Sequence, residues 1–139
     1  MRITIIFSIV TFFILSFFTS CASLKKNGRK EQFITQFFSN ESVYNSLKDY
    51  YSQKDIIIYD SKKELVNTPK TLEIDLKKIK IETTKPLNDN YFKVYKFNLN
   101  ESLASIVLAT SDGDKGIIYY VEKKNNKWII MNIIPKNRY

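Results

Sequence analysis

The chain has 139 residues, with 22 Lys and Arg against 14 Asp and Glu, a formal net charge of +8, ten Phe, nine Tyr, one cysteine and no histidine. The missing histidine removes the usual general base near neutral pH and the commonest metal ligand together. A lone cysteine rules out an intrachain disulfide, and three Gly with three Pro are too few for a low-complexity chain.

In chain order, Arg2 precedes an apolar run from Ile3 to Phe18, which gives way to Thr19, Ser20 and Cys21. This is the three-part layout of a secretory signal peptide. As a helix the run spans about 24 Å at about 1.5 Å per residue, short of a bilayer core of about 30 Å. The segment Phe18-Thr19-Ser20-Cys21 resembles the lipobox of bacterial lipoproteins of the Bacteroidetes kind, in which a small residue precedes the cysteine; Phe18 stands where Leu is usual. The resemblance covers the first 21 residues. It implies cleavage before Cys21, acylation of that sulfur by palmitate-like chains, and attachment to the cell envelope. Ala22 takes the place of the Asp that retains many such proteins in the inner membrane, and no acidic cluster follows Cys21. The implied destination is therefore the periplasmic face of the outer membrane. Two rival readings stay open: an uncleaved anchor, and cleavage after Ala22 at a small-x-small site. The organisation expected is a signal peptide over 1–20, a lipidated Cys21 with a basic tether over 21–30, and one domain over 31–139.

Residues Lys30 to Tyr51 carry a helical stripe of Phe33, Phe37, Tyr44, Leu47 and Tyr51 at spacings of three, four and seven. Ser39-Asn40-Glu41-Ser42 offers a break, with Asn as a C-cap and Ser as a new N-cap, so one long helix or two short ones are both allowed. The stripe reads as core.

From Ile56 the pattern changes to period two. Ile56–Tyr59 is a short β-branched strand. Thr71–Glu82 alternates with one slip of phase at Lys77-Lys78, read as a β-bulge. Tyr91–Leu99, Leu103–Thr110, Gly116–Lys123 and Lys127–Ile134 follow as strands, and Asn125-Asn126 suits a two-residue hairpin with positive φ. Leu103–Ala109 is apolar on both faces and is predicted to lie inside the sheet. The fold class expected is α+β, an N-terminal helix packed on a curved antiparallel sheet of five or six strands. The last hairpin, Ile117–Ile130 with Trp128 opening its second strand, resembles the closing strands of cystatin-like and nuclear-transport-factor-like folds. The single-helix cystatin-like layout is the better match.

Candidate chemistry is sparse. Gly28, Gly113 and Gly116 match no phosphate-binding loop. Glu73 and Asp75, with Lys77, are expected on one face of one strand, where paired carboxylates would serve a hydrolase but a ladder of opposite charges is the simpler reading. Asp112-Gly113-Asp114 falls short of a calcium loop. No cofactor and no metal is expected. The basic clusters Lys62-Lys63, Lys77-Lys78-Lys80, Lys123-Lys124-Lys127 and Lys136-Asn137-Arg138 are interrupted by acids, and in an exported protein they face anionic lipid or wall polymer, not nucleic acid.

Tyrosine on strands is the remaining signal. Tyr91, Tyr95, Tyr119 and Tyr120, with Trp128, carry apolar area with a polar handle, the combination that interfaces favour, and they are the candidate binding residues; the plainer reading is that they fill the core of a domain with few Leu. The function expected is that of a non-enzymatic, lipid-anchored envelope protein binding an envelope protein, a small ligand or a polymer on its sheet face, an inhibitor-like or immunity-like role included. The alternative is a carboxylate-dependent hydrolase of the envelope.

Overall fold

Phe33, Ile34, Phe37 and Phe38 each keep at most 1% of their surface, and their spacing on a helix sets which side of the first element faces inward. The computed structural model describes residues 27–51 and 53–137 and shows, among them, two helices and seven strands. The expected signal peptide 1–20, Cys21 and most of the expected tether lie outside the described residues. Two compact units divide the chain, Met1–Gln32 and Phe33–Tyr139. Of the first, residues 27–32 are described and are helical; the second holds the sheet and its core.

Helix α1 (27–38) and helix α2 (Glu41–Lys48) are separated at Asn40. Of the two arrangements the sequence allows, the broken one is found. Asn40 is the N-cap of α2 and not the C-cap of α1: its Oδ1 accepts the Ser42 N–H at 2.9 Å, which satisfies an otherwise orphaned donor of the first turn. Val43, Tyr44 and Leu47 are the buried side of α2. The helix stops before Tyr51, because the backbone tightens after Leu47 and turns Tyr50 and Tyr51 onto the ring of Phe92.

The strands are β1 (Asp55–Tyr59), β2 (Lys70–Ile74), β3 (Lys77–Glu82), β4 (Phe92–Leu99), β5 (Leu103–Thr110), β6 (Lys115–Lys124) and β7 (Lys127–Asn137). They form one curled sheet in the order β2-β3-β1-β4-β5-β6-β7. The α+β class is as expected, but the sheet has seven strands where five or six were expected, and it is mixed, not antiparallel. Both corrections arise in the N-terminal half. The phase slip near Lys77 marks a hairpin, because Asp75 at φ +52° opens a two-residue turn that pairs Ile74 with Lys77. A turn of two residues and a bulge of one shift the alternation alike. The β2–β3 hairpin then lays β3 along β1 in parallel, and β1 is also parallel to β4 on its other side. From β4 to β7 every pairing is antiparallel, as expected, and β5 lies inside the sheet.

The connection from β1 to β2 is held by one carboxylate. Asp60, fully buried, accepts the backbone N–H groups of Glu64, Leu65 and Val66 at 2.8–2.9 Å. The loop thereby delivers Leu65 and Val66 into the core. Two bulges interrupt the C-terminal strands. One places Tyr95 as an extra residue between Val94 and Lys96, and the other lies on β7 opposite Tyr120 and Val121, with Met131 as the extra residue.

The core fills the inner face of the sheet under the helices. Phe33 stacks on Phe37 at 5.3 Å and meets the Trp128 ring edge-on at 5.2 Å. Phe37 meets Tyr119 at 5.0 Å. Burying each such ring fully contributes about 1.5–3 kcal/mol, so this aromatic layer is the main tie between α1 and the sheet.

Candidate functional site

Adjacent residues of a strand point to opposite faces, and this divides the five candidate binding residues. Tyr119 is fully buried on the inner face. Its hydroxyl lies 2.8 Å from Ser46 Oγ, which donates to the Val43 carbonyl. Burial holds the Tyr119 hydroxyl well above the usual phenol range, against a smaller opposing effect of the Ser46 contact. Tyr91 is also buried, edge-on to Tyr59 at 5.9 Å. Trp128 is buried; its backbone N–H is accepted by Gln36 Oε1 at 2.8 Å. The Trp128 indole Nε1 is buried with no acceptor among the described residues. These three belong to the core, which corrects the expectation that they form an open tyrosine surface. Tyr119 and Trp128 lie under α1, whose Phe37 and Phe33 rings meet them, and Tyr91 is buried against Tyr59.

Tyr95 and Tyr120 are exposed, at 60% and 45%. The structure therefore does not bring the five together. It gathers a different set on the outer face of β4–β7. One cross-strand row on that face is Lys96, Val107, Ile118 and Ile134. The next is Asn98, Ser105, Tyr120 and Asn132, with Asn98 Nδ2 donating to Ser105 Oγ at 3.2 Å. The third is Leu103, Glu122 and Ile129. Leu103 and Ile129 are about half exposed, and Met131 at its bulge more so. The sequence reading missed Leu103, Ile129 and Met131. The signal for Ile129 and Met131 was the run Trp128-Ile129-Ile130-Met131, and that for Leu103 the run Leu103–Ala109, each apolar in both phases of its strand.

The carboxylates weighed for hydrolysis are dispersed. Glu73 pairs with Lys78 of the facing strand at 3.1 Å, and Asp75 occupies the β2–β3 turn, so the expected one-face array of Glu73, Asp75 and Lys77 is not formed. Lys77 reaches Glu41 at 3.4 Å and lies over the Tyr44 ring. Asp112 accepts the Thr110 hydroxyl and the Asp114 N–H, and these bonds, the hydroxyl first, hold its carboxyl below the usual range. Asp55 is lowered by its hydrogen bond to Lys80, which also forms an ion pair at 2.7 Å. Among the described residues no three of His, Cys, Asp or Glu come together as a metal-binding group, and no helix is long and apolar enough to cross a membrane.

Comparison with protein-family models, with curated proteins and with solved structures finds no match to this chain.

Proposed function

We propose that this chain is a lipid-anchored protein of the cell envelope, tethered through Cys21 on the periplasmic side of the outer membrane, whose domain binds and does not catalyse. Support for the anchor comes from the sequence alone: a charged start, an apolar run and one cysteine at the point where acylation requires it. Support for binding by the domain comes from one observation. Large apolar and amphipathic side chains, Tyr95, Leu103, Tyr120, Ile129 and Met131, stand exposed across one outer sheet region, and such groups at a surface mark a contact site. An inhibitor-like or immunity-like role toward an envelope protein belongs to this class.

Mass spectrometry of the native chain tests the anchor: a mature terminus at Cys21 carrying fatty acid is expected, and an unmodified cysteine sinks the assignment. Co-purification from envelope membranes tests the face. The Tyr95→Glu/Tyr120→Glu variant is expected to recover whatever contacts the wild type at least about tenfold less well, the equivalent of about 1.4 kcal/mol. Equal recovery removes the outer face from consideration.

A further inference from the structure

The outer face of β4–β7 carries apolar side chains on both sides of the polar row Asn98, Ser105 and Asn132, and is basic at both ends. Within these four strands stands one acidic residue, Glu122, and Lys124 pairs with it at 2.8 Å. Lys93, Lys96 and Lys136 stand at one end of the face and Lys124 and Lys127 at the other, all five exposed. Between them lie Val107, Ile118, Ile134, Tyr120, Leu103 and Ile129.

We infer that this face rests on an anionic phospholipid surface. The inference depends on the proposal that the face is a contact surface, and names its occupant. Charge complementarity favours a bilayer over a protein. The centre of a protein–protein interface is enriched in Tyr, Trp, Met and Arg and depleted in Lys; this face has Tyr and Met, but β4–β7 carry seven Lys, five of them on this face, no Arg, and a single Trp that faces the core. Lysine suits a bilayer because its stem lies along apolar surface while the ammonium stays at head-group level, and tyrosine prefers the same depth. Clustered lysines beside anionic head groups add an attraction that salt screens. The other lysine cluster of the sheet, Lys77, Lys78 and Lys80, is engaged by Glu41, Glu73 and Asp55.

Lysine footprinting of the full-length chain on vesicles tests this. Vesicles of phosphatidylcholine alone are compared with vesicles containing about 30% phosphatidylglycerol, using a water-soluble amine-acylating reagent and mass spectrometry of each lysine. On the anionic vesicles Lys93, Lys96, Lys124, Lys127 and Lys136 are expected to react at least about threefold more slowly, and an ionic strength near 1 M, where the Debye length is about 3 Å, reverses this. Lys62 and Lys63, exposed in the turn after β1, keep their rates. Ile129→Glu/Met131→Glu, at two exposed positions, is expected to abolish the protection with an unchanged far-ultraviolet circular dichroism spectrum. Equal rates on both vesicle types, or protection that high salt leaves intact, overturns the inference. Protection that appears only on adding an envelope protein extract overturns it too, and leaves the contact-face proposal standing. A face that stays open under every condition ends both.

Discussion

Gln36 Oε1 accepts the backbone N–H of Trp128 at 2.8 Å, joining α1 to the second residue of β7 across 92 positions of sequence. β7 is a sheet edge, and an edge presents a row of donors and acceptors that invite another strand. Here a helix side chain occupies one of them, and the bulge at Met131 and Pro135 interrupt the rest.

Removing that cap has a defined cost. Gln36→Ala leaves the Trp128 N–H without its acceptor and is expected to destabilise the domain by about 1 kcal/mol. Urea unfolding measures it as a lower midpoint with an unchanged slope. No change of midpoint means that water replaces the amide at no cost.

Asp60 is the more sensitive position. Asp60→Ala strands the buried N–H groups of Leu65 and Val66 and the partly buried one of Glu64 and is expected to lose about 3 kcal/mol, whereas Asp60→Asn keeps one acceptor oxygen and is expected to lose about half as much. Thermal unfolding of the two variants orders them. An alanine variant as stable as the wild type excludes the carboxylate as the organiser of the loop.

Tyr119 gives the domain an alkaline limit. Below about pH 10, the usual phenol value, its hydroxyl is protonated in both folded and unfolded chains. Above that, the unfolded chain ionises while burial keeps the folded Tyr119 protonated, so stability present at lower pH is lost as pH rises toward the folded value. Tyr50 adds to the trend in the same direction, through burial and then Asp49. Tyr119→Phe is expected to cost about 1 kcal/mol at neutral pH through the lost Ser46 contact. It should also flatten the fall in stability above about pH 10, read from urea midpoints against pH. A variant whose alkaline slope equals that of the wild type contradicts the assignment.

Much of this architecture was legible where the signal is local. The aromatic stripe of α1, the capping potential near Asn40 and the strands from β4 to β7 follow from spacing, because each is fixed by neighbours a few residues away. The Asn125-Asn126 turn was legible for the same reason; both residues have positive φ, 49° and 62°. The parallel placement of β1 was not, since nothing within Asp55–Tyr59 states which strand lies beside it. The Asp75 turn was mistaken for a bulge because both shift the alternation by the same amount.

The candidate site failed for a related reason. Ile117, Tyr119 and Val121 alternate with Ile118 and Tyr120, and both sets are apolar enough to face a core. Only the strand partners and the helix above them decide that Tyr119 goes in and Tyr120 out.

Because β1 is flanked by β3 and β4, its earliest possible partner is 23 residues downstream, Lys78 against Asp55. The first strand of this sheet belongs to no hairpin. A chain emerging in order therefore holds an interior strand in waiting until the later ones arrive, which slows assembly in the way that distant pairings do.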